Sequence, residues 1–106
     1  MDTGCVIVFT TVASTTNSRD LASILVTERL AACVNVLGDM ESVYRWKGVV
    51  ETGQERQLII KTTGGRVDAL KTRLHEIHPY ELPEFLVVPV VGGSDEYLNW
   101  IRASTT

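Results

Sequence analysis

Three features of the chain predict an α+β fold built on one antiparallel sheet. Apolar runs of strand length alternate with segments of helical periodicity, the elements read β-α-β-β-α-β-α, and two unusually long strand segments stand back to back around one glycine. The first six elements follow the split βαβ, or ferredoxin-like, plan, in which an antiparallel sheet carries two helices on one face. A C-terminal helix follows them.

Each element has its own signal. Residues 5–11, Cys-Val-Ile-Val-Phe-Thr-Thr, form a continuous apolar, β-branched run and read as a buried strand. Ser14 to Asn17 supplies N-cap oxygens. A helix runs from there to about Ala31, with Leu21, Ala22, Ile24, Leu25 and Val26 on one broad face. The β signal returns over about 32–47 through Val34, Val36, Val43, Tyr44 and Trp46, breaks at Gly48, and resumes over about 49–62. Gly64-Gly65 punctuates the chain before a second helix, which carries Val67, Leu70, Leu74 and Ile77 on one face. Pro79 stops that helix, because the residue before a proline avoids the α region. Two prolines, Pro79 and Pro83, stiffen the loop that follows. Phe85 to Val91 reads as a short buried strand, and its Pro89 points to an edge or a bulge. Gly92-Gly93 leads into a last helix from about Asp95, whose apolar side is Tyr97, Leu98 and Ile101.

The chain has 106 residues, which suits one domain over 1–106. Apolar residues are 44% and charged residues 22%, which excludes collagen, coiled coil and a fully disordered chain. The longest apolar run, Phe85 to Val91, is far short of the ~20 residues of a membrane helix. No basic n-region precedes an apolar stretch at the start, so no signal peptide is visible and a cytoplasmic location is expected. With only Cys5 and Cys33 present, two reduced thiols fit that compartment. The net charge is −3 with ten scattered Lys and Arg, which disfavours a nucleic-acid partner. No membrane partner is expected either.

The paired strand segments carry a prediction about assembly. Fourteen residues at ~3.3 Å each reach roughly 46 Å. A compact chain of this length has a radius of gyration near 13 Å, hence a diameter of about 33 Å. The hairpin must bend or project, or else be shortened by a break around Leu37-Gly38-Asp39. Its tip holds Tyr44, Trp46, Val49 and Val50, and an exposed apolar hairpin seeks a partner strand. A domain this small buries only about 60–65% of its unfolded surface, so a second copy is a natural remedy.

No catalytic or phosphate-binding motif occurs, and the chain reads as a non-enzyme, with His78 and Glu81 the only base-and-orienter pair worth noting. His75 and His78 are three apart, whereas the zincin helix needs four. Gly64-Gly65 and Gly92-Gly93 stand between strand and helix, where backbone N–H groups can meet an anion or simply make the turn. Cys33 reads as core. The densest polar constellation is His78, Tyr80, Glu81 and Glu84 on the stiff loop, with Glu55 and Lys61 of the second hairpin strand able to face it. Imidazole with carboxylate is ligand chemistry for copper or zinc. The same set also suits a small-ligand pocket or a hydrogen-bonded corner.

At these residues the sequence resembles the CutA, or divalent-cation tolerance, family. The matching segments are Glu28 to Asn35 (ERLAACVN), Ser42 to Gly48 (SVYRWKG), Ile60-Lys61-Thr62, His78 to Glu84 (HPYELPE) and Tyr97-Leu98-Asn99-Trp100. They occur in family order and span nearly the whole chain. The resemblance implies a ferredoxin-like fold close to the PII signalling proteins and a homotrimer whose long hairpins pair across subunits. It implies binding of copper(II) or another divalent cation, a role in metal-ion homeostasis, and no established enzymatic activity. Where bacterial members place a cysteine and a His-His pair at a copper site, this chain has Thr10 and Ile77-His78, so His78 alone carries over. On this basis His78 and Glu81 are the candidate metal ligands. Trp46, Glu55, Lys61, Tyr80 and Glu84 are the candidate lining of a cleft between subunits. The alternative implied function is a PII-like sensor trimer that binds a small anion or metabolite in such clefts.

Overall fold

A computed structural model describes residues 2–106. The elements are β1 (Cys5–Ala13), α1 (Ser18–Thr27), β2 (Cys33–Trp46), β3 (Val49–Thr63), a 3-10 turn over Gly64–Arg66, α2 (Val67–Ile77), β4 (Leu86–Pro89) and α3 (Asp95–Ser104). The strands form one sheet in the order β2-β3-β1-β4, and every neighbouring pair is antiparallel. This is the split βαβ arrangement the element order predicts.

Strand alternation decides where the core sits. Val8, Thr10 and Val12 point to one face of β1, and Leu58 and Ile60 do the same on β3. Leu21 and Leu25 of α1 and Leu70 and Leu74 of α2 close over that face as the main core. Lys61, on the opposite face from Ile60, reaches the Tyr97 hydroxyl of α3 at 3.4 Å, which places α3 over the other side of the sheet. There Leu98 and Ile101 pack with Cys5 and Ala32. Both cysteines are free, Cys5 buried and Cys33 half-buried.

Two boundaries differ from the sequence reading. The first helix ends at Thr27 rather than near Ala31. Arg29 takes a left-handed backbone (φ 59°), and the amides of Leu30 and Ala31 both turn back to the Leu25 carbonyl. That turn delivers Leu30 and Ala31 to the core, a tertiary gain that outweighs continuing the apolar periodicity. The last strand is only Leu86–Pro89, and its side chains are exposed rather than buried. It is the outer edge of the sheet, where Pro89 leaves no ladder donor unpaired.

The hairpin keeps its full length. Trp46 pairs with Val49 around Lys47 and Gly48, whose φ values of 49° and 82° are both left-handed, the requirement of a type I′ turn. Between Leu37 and Met40 the register shifts, so the strand bulges at Gly38 instead of ending. Gly38 is required there: a Cβ would lie 2.5 Å from Cγ of Arg56. The longest dimension is 44 Å and the radius of gyration 14.4 Å, against about 13 Å for a compact chain of this length. The excess is the projecting hairpin. Its far half exposes Val43, Val49 and Val50, each close to 60% or more.

Candidate functional site

The far half of the β2–β3 hairpin and the proline-stiffened loop after α2 face each other across a cleft of about 780 Å³. The hairpin wall presents Tyr44, Trp46, Glu51 and Glu55, and the loop wall presents Tyr80, Glu81, Glu84 and Phe85. The I′ turn fixes which residues share the hairpin wall. Counting back from Trp46 opposite Val49, Tyr44 falls directly opposite Glu51.

The loop is anchored from within. His78 caps α2, its amide donating to the Leu74 carbonyl at 2.8 Å. Its ring then turns inward and is 7% exposed. Nε2 lies 2.7 Å from the Thr11 carbonyl, and Nδ1 accepts the Tyr80 amide at 3.1 Å. A carbonyl can only accept, so Nε2 carries the proton and the ring is neutral. Burial is the main reason its pKa is lowered from the ordinary 6.5; the Thr11 contact opposes that shift. The Tyr80 ring packs against this imidazole at 4.9 Å between centroids. Its hydroxyl donates to Oε2 of Glu55 at 2.6 Å. Burial first and that bond second raise the tyrosine pKa, so Tyr80 remains a donor at neutral pH.

Glu84 is held by the Gln57 amide, which also donates to the Thr10 carbonyl at 2.7 Å. Glu81 points outward and meets the ammonium of Lys47 at 3.7 Å. That ammonium also stands 5.5 Å from the centre of the Trp46 ring. Four carboxylates, Glu51, Glu55, Glu81 and Glu84, thus line a cleft that among the described residues meets two cations, Arg45, itself turned to the Gly48 carbonyl, and Lys47 at its mouth on Glu81.

Of the residues the sequence singles out, Trp46, Glu55, Tyr80, Glu81 and Glu84 come together here. Lys61 does not. It lies six residues beyond Glu55 along β3, roughly 20 Å in an extended strand, and engages Tyr97 of α3 instead. His78 and Glu81 turn in different directions, one inward and one to solvent, and both imidazole nitrogens are occupied by backbone. A metal at His78 has to displace one of these hydrogen bonds. Thr10 faces the helical core, fully buried, and not the cleft. Among the described residues no three His, Cys, Asp or Glu side chains converge as a metal cage. The His75 ring, one turn earlier, folds onto the Lys71 carbonyl at 2.8 Å. Neither glycine pair, 64–65 or 92–93, lines the cleft. Tyr44 and Glu51 are among the lining residues that the sequence reading leaves out of its cleft; the Lys-Gly turn and the register it sets would have found them.

Comparison with known proteins extends over the same residues. Residues 6–104 match the family model described as "CutA1 divalent ion tolerance protein". The divalent-cation tolerance protein CutA of Thermus thermophilus is 44% identical over 99 residues, covering 93% of this chain and 96% of that protein. The chloroplastic CutA of Arabidopsis thaliana is 41% identical, over 94% of this chain and 55% of the relative. Among solved structures, CutA from Xylella fastidiosa superposes with a TM-score of 0.93 at 44% identity, covering 97% of this chain and 99% of that one. A protein from Nostoc described as PII-like CutA superposes at 0.87 with 36% identity, over 95% and 97%.

Proposed function

Because the chain belongs to the CutA1 divalent ion tolerance family, we propose that it serves divalent-cation tolerance as a homotrimer, taking copper(II) or another divalent cation at the acidic cleft. The observation that carries this reading is the charge of the cleft: four carboxylates against the Arg45 guanidinium and the Lys47 ammonium at its mouth, a net negative lining. Such a lining attracts cations and repels anions, so it weighs against the small anion of the alternative sensor reading. His78 is not the anchor in this reading, because its two nitrogens are already spent on Thr11 and Tyr80. The carboxylates of the cleft supply the protein oxygens, with water or a neighbouring copy completing the shell.

The trimer is supported by what one chain leaves open. The hairpin tip exposes Val43, Val49 and Val50, β4 exposes Leu86, Val87 and Val88, and both β2 and β4 are free edges. The location proposed is the cytoplasm, in keeping with two free thiols and with the lack of any described helix long and apolar enough to cross a membrane. The role is binding rather than turnover. Copper(II) titration by calorimetry tests the reading. Glu51→Gln with Glu81→Gln is expected to weaken binding by about tenfold or more, and His78→Gln to leave it nearly unchanged. The reverse ranking would return the site to His78.

The size of the cleft favours a second reading, that of a PII-like sensor. About 780 Å³ walled by Tyr44, Trp46, Tyr80 and Phe85 has the dimensions and apolar lining of a small-molecule site.

A further inference from the structure

The two readings meet in one ligand class. We propose that the cleft binds an organic polyammonium ion, a linear aliphatic di- or triamine, with one ammonium at Glu55 and the alkyl chain laid along the aromatic wall. This rests on the reading of the cleft as a cation site and specifies which cation fits its shape.

Three observations carry it. First, Glu55 is nine-tenths buried and lines the cleft, yet none of the ion pairs among the described residues includes it. Its Oε2 receives the Tyr80 hydroxyl, which leaves Oε1 for a further donor. A carboxylate that is largely buried, holds one neutral donor and has no cation beside it is a suitable partner for an incoming ammonium. Second, the walls are aromatic as well as acidic. Ring faces attract alkylammonium groups and pack their methylenes, while a small hard ion gains nothing from the methylene contact. Third, the protein already displays the pairing with its own side chain. The Lys47 ammonium stands 5.5 Å from the Trp46 ring centre and 3.7 Å from Glu81. A primary amine on an aliphatic stem is therefore seated at the cleft mouth by an aromatic face and a carboxylate. Glu51 and Tyr44, opposite one another on the hairpin, offer the same two chemistries further in. An extended diamine fills more of this cleft than a bare metal ion, for which no three His, Cys, Asp or Glu side chains converge among the described residues.

The experiment titrates spermidine into the full chain and reads Trp46 fluorescence in a Trp100→Phe background, where Trp46 is the sole indole. Magnesium chloride at matched ionic strength controls for screening. The result expected is a saturable change with spermidine and none with magnesium. Glu55→Gln and Glu51→Gln should each weaken binding by about tenfold. Glu51 is exposed, so its variant keeps the test valid if Glu55→Gln fails to fold. Asp95→Asn with Glu96→Gln, an acidic pair on α3 remote from the cleft, should change nothing. Lys47→Ala should strengthen binding, since it removes the built-in competitor. No saturable response at millimolar spermidine, or equal loss in the α3 control, overturns the proposal. If copper(II) still binds through the cleft carboxylates in that case, the cation-site reading survives without it; if neither binds, both fall.

Discussion

Two fully buried threonines should respond to the same substitution with opposite sign. Thr10 and Thr62 both have no solvent exposure, and both face the helical core from neighbouring strands. The Thr62 hydroxyl donates to the Leu30 carbonyl at 2.8 Å. The Thr10 hydroxyl has no hydrogen-bond partner. An unpaired buried hydroxyl costs about 1–3 kcal/mol. Replacing it by a methyl removes that cost and adds apolar burial worth about 0.8 kcal/mol per carbon. Thr10 also lies between Val8 and Val12 on the same face of β1, so a valine meets matching neighbours. Thr10→Val should therefore stabilise by about 1–2 kcal/mol after some loss to imperfect fit. Thr62→Val removes a net hydrogen bond of about 1 kcal/mol and leaves the Leu30 carbonyl buried without a donor, a loss of about 1–2 kcal/mol. Thermal unfolding at one fixed chain concentration reads both, because each kcal/mol moves the midpoint by roughly 4–8 °C in a domain of this size. Destabilisation by both variants, or stabilisation by both, would refute the assignment of one hydroxyl as paired and the other as orphaned.

Three further outcomes follow from the same geometry. Tyr80→Phe should cost about 1.5–3 kcal/mol in chemical denaturation, because the nine-tenths-buried Glu55 carboxylate loses its donor; a change within error would show that the bond contributes nothing. His78 has its pKa lowered by burial, so the unfolded chain takes up its proton first on acidification. Its contribution to stability is complete above about 6.5 and declines as pH falls below that value toward the folded pKa. Guanidinium midpoints between neutral and mildly acidic pH should fall in the wild type and flatten in His78→Gln, and parallel slopes would rule His78 out as the titrating group. Gly48→Ala should cost about 1–2 kcal/mol from its left-handed backbone, since nothing lies within 4 Å of the added Cβ; Gly48→Asn, which tolerates that conformation, should recover much of the loss.

Periodicity and glycine punctuation carried most of the fold. The 3.6-residue spacing of Val67, Leu70, Leu74 and Ile77 marks α2, and the helix ends at Ile77, two residues before Pro79. The hairpin length followed from counting residues between breaks, and the 44 Å long axis agrees with it. What escaped was set by contacts distant in sequence. The turn at Arg29 is chosen by the core that Leu30 and Ala31 join, not by local pattern. The valines of β4 point to burial and its Pro89 to an edge or a bulge; the strand lies at the edge with its side chains exposed, so the proline was the better guide. At the site, the loop and hairpin residues were recognisable by type. Side-chain direction was not. Lys61 shares a face with Glu55 but lies too far along the strand, and the imidazole of His78 is consumed by two backbone groups no spacing rule reveals.

If the acidic cleft is a cation site in an assembled protein, native mass spectrometry of the cell-purified chain will see both the assembly and its ions. Three copies of the 11.7 kDa chain carrying retained cations are expected, with those cations lost in Glu51→Gln with Glu81→Gln. A folded monomer, or a trimer whose retained cations are indifferent to the two substitutions, would contradict it.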